Sequence, residues 1–443
     1  MNSSVKWVWL AQRCGHGNEE IINLLDKMPR IDDIYSADFD TYIEIGISER
    51  LAYELSDKSL DSIYPIISFC QTSGVGILCY DSPSYPKSLR TLKNPPIVLY
   101  YVGKLPDFNS NLCISVVGTR KMSEYGMRAA YKIAYEIAAS GAIVVSGMAL
   151  GIDGIAACAA ISAKGKTVAV LGCGIDIVYP KEHFKLKEII KKNGAVITEY
   201  PPSTEPRGMN FPIRNRIISG LSQGTVVVDA DMSSGAMITA KSAILQGRDV
   251  YAVPGNIDAQ NTSGTNSLIR DGAQAVLCGA DVIKNYSYLY RDSLNVQKLV
   301  NSEKQSEFSP EAVRKMGVGM RTRGAQIQSE PKIRLGYKSD KGQEKATSAV
   351  ETPDNSKNNK SYDGLAQKLK EKESSGGDNS AQVLASLSEK QIKIFEEMPI
   401  DRAVTIDYLT CTGFSLGEVI SALTVLEIKG LVSSLPGALY IRK

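Results

Sequence analysis

Histidine is scarce in this sequence: its 443 residues contain two, His16 and His183. A histidine-based zinc site needs more ligands, and a Ser-His-Asp triad would have to recruit one of this pair. Paired cysteines are lacking too. The eight (Cys14, Cys70, Cys79, Cys113, Cys158, Cys173, Cys278 and Cys411) are scattered without a C-x-x-C spacing. That is the pattern of reduced thiols in a cytoplasmic chain, not of a disulfide frame. Neither sign of charge is in large surplus. Lys and Arg number 51 against 48 Asp and Glu, a formal net charge of +3, so a nucleic-acid role has to come from local placement of basic side chains. Long apolar runs are absent as well. Trp7-Val-Trp-Leu-Ala11 is ended by Gln12 and Arg13, short of the roughly 7–15 residues of a secretory signal. No later run approaches the ~20 residues of a membrane span. These absences predict a soluble, cytoplasmic protein with no metal site and no membrane partner.

What is present is ordinary globular composition, 43% hydrophobic and 22% charged. The length exceeds the ~250–300 residues at which one core stops growing, so two or three domains are expected. Residues 1–75 read as short helices, carrying Val5, Val8 and Leu10, then Ile21 to Leu25, Leu51 to Leu55 and Ile63 to Phe69. Gly15-His-Gly-Asn18 separates the first two, with Asn18 as N-cap. This segment is read as a helical packing module, SAM-like or helix-hairpin-helix-like; the second form would offer backbone amides to DNA phosphate.

Residues 76–300 are read as a connector followed by an α/β domain. The connector, 76–105, is punctuated by Tyr85-Pro86 and Pro95-Pro96. Apolar runs of strand length then recur at Leu112–Val117, Ala142–Val145, Thr167–Leu171, Ala195–Ile197, Thr225–Val228, Val250–Val253 and Ala275–Leu277. Helix-length segments lie between most of them: 125–140, 151–163, 182–192, 213–222 and 236–246. Strands apolar throughout and separated by helices predict a Rossmann-like, doubly wound, mostly parallel sheet covered on both faces. Residues 301–385 are rich in Lys, Glu, Ser, Gly and Asn and are expected to be a disordered linker. Order is expected again over 386–443. Capping patterns Ser386/Glu389 and Ser415/Glu418, helices at 387–397, 404–411 and 416–429, and a hairpin at 431–441 predict a winged helix. Its third helix, from Gly417 to Glu427, is apolar and acidic, which argues against reading of a major groove.

Functional loops of a doubly wound sheet gather at the C-terminal ends of its strands. Here they carry Gly118 and Arg120, Ser146, Gly147 and Gly151, Lys181, Arg214, Asn215 and Arg216, and Ser234 with Gly235. Glycine permits close backbone approach, helix N-termini present unpaired N–H groups, and the basic side chains add charge. Together they describe an anion site for more than one phosphate. Tyr125, Tyr179, Phe184 and Phe211 lie in or beside these loops and offer faces for base stacking; core packing is the competing reading of Phe211. Arg214 and Arg216, two apart on a helix, cannot face one way, so one of them is structural. Asp153 reads as a helix cap. For Lys181 the competing reading is a solvated lysine at a helix start, and His183 is either an added contact or a surface residue.

The set resembles the DprA/Smf family of DNA-processing proteins. Val117-Gly-Thr-Arg120, Ser146-Gly-x-Ala-x-Gly-Ile-Asp153, Gly174-Ile-Asp-x-x-Tyr-Pro180, Phe211-Pro-x-Arg-Asn-Arg216, Ser234-Gly-Ala-x-x-Thr239 and Pro254-Gly255 stand in family order. The resemblance runs from Tyr85 to about Ile283, with 386–442 similar to the family's C-terminal winged helix. It implies a homodimer without a cofactor that binds single-stranded DNA in a basic pocket, protects incoming DNA and loads RecA recombinase during natural transformation. Carried over by position, Arg120 and Lys181 would contact phosphate, with Arg214, Asn215 and Arg216 in the pocket or its wall. The chain departs from the family at Ala157, where His often stands, and at Asp229, where Glu is usual.

The alternative is a Rossmann-like nucleotide hydrolase of the phosphoribohydrolase kind. Those enzymes carry a Pro-Gly-Gly-x-Gly-Thr loop followed by Glu, and Asp229-Ala-Asp-Met-Ser-Ser-Gly235 has neither the double glycine nor the Glu. Asp229 and Asp231 keep that reading as the runner-up. A dinucleotide oxidoreductase fits less well, because Gly172-x-Gly174 lacks the third glycine. The expected function is binding, with no catalytic residue.

Overall fold

The computed structural model describes residues 3–302, 305–319, 387–399, 404–410, 414, 416–429, 431–435 and 439–442. The chain divides into two compact units, Met1–Pro331 and Lys332–Lys443.

The first unit opens with helices α1 (Ser3–Cys14), α2 (Glu20–Lys27), α3 (Ile31–Ser36), α4 (Phe39–Glu44), α5 (Glu49–Ser56) and α6 (Ile63–Thr72). Trp7, Trp9, Leu10, Leu24, Ile34 and Leu55 fill their interior. The indole N–H of Trp9 donates to the Asp57 carbonyl at 2.9 Å. This interior is continuous with one face of the sheet, so the helices pack as part of the larger unit instead of closing a separate core at residue 75. The N-cap of the second helix is Glu19, not Asn18; Asn18, one residue before it, accepts from the Glu20 N–H at 2.9 Å.

Nine strands follow: β1 (Gly76–Cys79), β2 (Val98–Gly103), β3 (Cys113–Gly118), β4 (Ile143–Ser146), β5 (Thr167–Leu171), β6 (Gly194–Thr198), β7 (Gly224–Val228), β8 (Asp249–Ala252) and β9 (Gln274–Ala275). Their order across the sheet is β1-β2-β6-β5-β4-β3-β7-β8-β9. From β6 to β9 every pairing is parallel, whereas β2 meets both β1 and β6 antiparallel. The seven expected strands are present. The connector supplies two further strands, β1 and β2, and β2 pairs antiparallel with β6 after the Pro95-Pro96 stop.

The interleaving helices are α7 (Lys87–Arg90), α8 (Glu124–Ala139), α9 (Ile152–Ser162), α10 (Phe184–Asn193), α11 (Asn210–Leu221), α12 (Gly235–Leu245), α13 (Ser263–Arg270), α14 (Gly279–Ile283), α15 (Val296–Ser302) and α16 (Pro310–Met316). Strand residues alternate between two cores, as the period of two requires. Ile114, Val116, Ala169, Leu171, Val226 and Val228 face α8, α9 and α10. Cys113, Val117, Val168, Val170 and Val227 face α7, α11, α12 and α13.

The expectation of a linker from residue 301 is corrected at its start. Residues 305–319 are packed: Ser309 caps α16 with Pro310 in its first turn, Phe308 meets Tyr131 edge-on at 5.5 Å, and Val313 and Val318 are buried. The compositional argument failed because three well-spaced apolar residues suffice when a groove awaits them. The rest of the proposed linker lies outside the described residues.

The second unit holds α17 (Glu389–Glu396), β10 (Val404–Thr405), α18 (Ile406–Thr410), α19 (Leu416–Ile428), β11 (Val432–Leu435) and β12 (Leu439–Arg442). Its antiparallel sheet runs β10-β12-β11. Ile394, Phe395, Leu409, Val419, Leu423, Leu426 and Val432 form its core. The capping box of α17 uses Ser388 with Gln391, two residues beyond the expected pair; Ser386 and Ser415 lie outside the described residues. Among the described residues no helix is long and apolar enough to cross a membrane.

Candidate nucleic-acid interface

The chain steps from β3 through β4 and β5 to β6, then crosses to β7 on the other side of β3. Doubly wound sheets place ligands beside such a reversal, outside the carboxyl ends of the strands. The loop after β3 carries Arg120, which is exposed, with its guanidinium 5.3 Å from the centre of the Phe211 ring. Tyr179 stacks against the same ring, centroids 5.3 Å apart and planes tilted by 33°. Lys181, two residues on, starts a 3-10 turn and is exposed, and Phe184 beside it is 61% exposed. Cations and aromatic faces thus share one surface at the strand ends.

Arg214 lies beneath this surface. It is buried, 5.8 Å from the Phe211 ring centre. Its Nη1 donates to the Gly147 carbonyl at 3.1 Å and to the Val170 carbonyl, and its Nε donates to Asn215 Oδ1 at 3.1 Å. Burial weighs against its charge, with Asp153 opposing that shift. Asp153 in turn is held above the usual carboxylate range by burial, against the pull of Arg214. Arg214 therefore anchors the loop after β4 to the end of β5 and supports Phe211 from behind.

The glycine-rich loop after β4 turns inward. Asp153 Oδ2 accepts from the Gly147 N–H at 2.8 Å and from the Ala149 N–H at 3.4 Å, so the expected phosphate donors at Gly147 already serve a carboxylate. Ser146 is buried, its Oγ donating to the Asp153 carbonyl at 3.4 Å. A side chain at Gly147 would lie 2.7 Å from Arg214 Nη2 and 2.8 Å from Asp153 Oδ2. Gly151, the residue before α9, has φ +78°, and a Cβ there would meet the Thr119 carbonyl at 2.4 Å. It brings α9 against the Arg120 backbone. Gly118 ends β3, where a Cβ would strike the Val228 carbonyl.

Arg216 does not join the surface. It is buried and grips Glu199 through Nη2 at 2.6 and 2.7 Å, facing the Gly15–Asn18 turn; a Cβ on Gly17 would sit 3.8 Å from Arg216 Nε and 3.2 Å from Ile213. His16 of that turn packs on Tyr200 at 4.4 Å. His16 and Gly17 of the turn thus pack against Tyr200, Ile213 and Arg216, while Gly15 is exposed. Nothing local to Arg216 in the sequence points to Glu199 as its partner. Asn215 Nδ2 donates to the Gly235 carbonyl at 3.4 Å, and Ser234 caps α12 through the Ala236 N–H at 3.3 Å. These two tie α11 to α12 beside the reversal. Asp229, with φ +53°, accepts the Ser123 N–H at 2.5 Å and lies against Gly126, so it positions α8. His183 is fully buried, neither an added contact nor a surface residue.

Comparison with known proteins agrees with this architecture. The family model described as DNA recombination-mediator protein A matches residues 76–287. The chain is 36% identical over 231 residues to the DNA processing protein DprA of Bacillus subtilis, covering 51% of this chain and 78% of that one. It is 33% identical over 411 residues to the protein Smf of Synechocystis, covering 90% of each. The X-ray structure of DNA processing protein A from Streptococcus pneumoniae superposes with a TM-score of 0.57 at 31% identity, covering 64% of this chain and 98% of that one. With relatives this similar over most of their length, the chain belongs to the DprA/Smf family of DNA-processing proteins.

Proposed function

We propose that this protein binds single-stranded DNA at the surface built by Arg120, Tyr179, Lys181, Phe184 and Phe211, without catalysing a reaction on it. The observation that carries the reading is the Arg120 guanidinium lying over Phe211 while Tyr179 packs beside it. Strand binding without sequence preference needs cations to follow the backbone and aromatic faces to take bases. A phosphate site alone would not call for the rings. Duplex DNA keeps its bases stacked and cannot use them. The reading extends to a homodimer in the cytoplasm that protects incoming strands and hands them to RecA recombinase, and to a winged helix in the second unit. The described part of α19 spends Val419, Ala422, Leu423 and Leu426 on the unit's own core and carries Glu418 and Glu427, carboxylates that do not favour phosphate.

The hydrolase alternative would need a carboxylate directed at a ribose. Asp229 is instead 2% exposed and accepts from the Ser123 N–H. Electrophoretic shift of single- against double-stranded oligonucleotides at several salt concentrations tests the proposal. Affinity for the single strand is expected to fall with salt at a log–log slope of about −0.7 per phosphate neutralised. Arg120→Ala is expected to weaken binding and flatten the slope by about one phosphate. Unchanged affinity and slope in that variant would remove Arg120 from the site.

A further inference from the structure

The 305–319 segment brings further charge beside the basic surface. Its helix α16 packs on α9 and α10 and commits Val313 to the core. Arg314 and Lys315, in its last turn, are left exposed. The helix stops at Gly317, with φ +68°. The Gly317 N–H donates to the Arg314 carbonyl at 3.1 Å and the Val318 N–H to the Val313 carbonyl at 3.2 Å, the pairing of a glycine-terminated helix end. This stop lays the chain across the start of α10. A Cβ on Gly317 would lie 3.1 Å from Lys185 Cβ and 3.5 Å from its Cδ. The stem of Lys185 therefore runs along the end of α16 that carries Arg314 and Lys315.

Lys185 leads back to the surface described above. It follows Phe184, which is 61% exposed, and comes four residues after Lys181, about 5–6 Å on a helical surface. From Gly317 back to Lys315 is two residues, at most about 7 Å. Stacked nucleotides rise about 3.4 Å each along a strand. Successive cations from Lys181 through Lys185 to Lys315 are thus on the order of two to three nucleotides apart.

The charge is not spent within the protein. Among the described residues Lys181, Lys185, Arg314 and Lys315 form no ion pair, and Glu188, on the next turn of α10, is taken by Lys191 at 2.6 Å. Glu182 and Glu311 stand on the same elements, which leaves four cations against two carboxylates. A cation in a last turn also complements the helix dipole. That role does not call for the Lys185 stem alongside.

We propose that Lys185, Arg314 and Lys315 continue the strand path from Lys181, so that a bound single strand runs off the sheet onto the 305–319 segment. The proposal rests on the single-strand reading above. Its test is equilibrium binding of an oligo-dT strand of about 30 nucleotides to the full chain at several salt concentrations. The double variant Arg314→Ala, Lys315→Ala keeps good helix formers in α16. It is expected to bind more weakly and to lower the log–log slope by about 1.4, at about 0.7 per phosphate. The double variant Arg314→Lys, Lys315→Arg is expected to keep the slope of the unaltered protein, which separates charge from shape. An unchanged slope in the alanine variant, or an equal loss in the charge-keeping one, overturns the extension. If the unaltered protein binds no single strand at all, the parent reading fails and the extension falls with it. If Arg120→Ala flattens the slope and the alanine double variant does not, the extension alone fails.

Discussion

His183 joins three segments on which the site depends. Its Nδ1 lies 3.0 Å from the Met148 carbonyl, which puts the ring proton on that nitrogen. Met148 itself has φ +52°, a costly conformation for a side-chain-bearing residue. A Cβ on Gly154 would approach the ring at 2.8 Å, and one on Gly319 would lie 3.5 Å from Nε2. The ring therefore sets the β4 loop against the turn that presents Lys181. Nothing local in Lys181-Glu-His183 reveals this, because the partners come from residues 148, 154 and 319. Burial pushes the His183 pKa below its ordinary 6.5, and burial does the same to His16. In the unfolded chain both return to about 6.5. Below that pH the unfolded state binds more protons than the folded one, so stability is complete above about 6.5 and declines as pH falls toward the depressed folded values. Each histidine contributes at most about 1.4 kcal/mol per pH unit. Denaturant midpoints at pH 7 and pH 5 are expected to differ less in His183→Asn than in the unaltered protein. Equal differences would mean that folding leaves the protonation of His183 unchanged.

At the scale of the element, α11 has two working sides. Phe211 and Arg214 support the basic surface, while Ile213 and Arg216 meet the N-terminal turn. Helical geometry turns 100° per residue, so positions 214 and 216 diverge by about 200°, and their separation was legible in the sequence. Which side would carry the basic surface was not, because the answer depends on Glu199, which lies in another loop. The Arg216–Glu199 pair is 7% and 6% exposed. Removing one member leaves a buried charge unpaired, at a cost of about 3–5 kcal/mol. Arg216→Ala is therefore expected to lower the urea midpoint strongly. Among molecules still folded, single-strand affinity and salt slope are expected to stay near those of the unaltered protein, opposite to Arg120→Ala. A flattened slope in folded Arg216→Ala would return this arginine to the phosphate site.

At the scale of the molecule, the sheet was legible because strands covered on both faces are apolar at every position, as in Val226-Val-Val228. The edge strand β1 and the 305–319 segment were not, because each is short and depends on a neighbour. That segment closes over α8, α9 and α10: Ser306 Oγ donates to Glu136 at 2.9 Å, and Glu136 also accepts the Gly279 N–H at 2.6 Å. With Val313 and Val318 buried, it belongs to the folded unit that carries the basic surface. Two truncated chains separate this arrangement from a linker beginning at 301. A chain ending at Pro331 is expected to keep the unfolding midpoint of the first unit and most of the single-strand affinity. A chain ending at Asn301 loses two buried valines, each worth roughly 1.5–3 kcal/mol of burial before the entropy of ordering is subtracted. It is expected to unfold at lower urea by on the order of 2 kcal/mol of stability. It also loses Val318, which packs at Gly154, and the interaction of the Gly319 backbone with His183, so its single-strand affinity should fall as the turn bearing Lys181 loosens. Equal midpoints for the two chains would show that residues 302–331 add nothing to the unit, and the linker would then begin where the composition first changes.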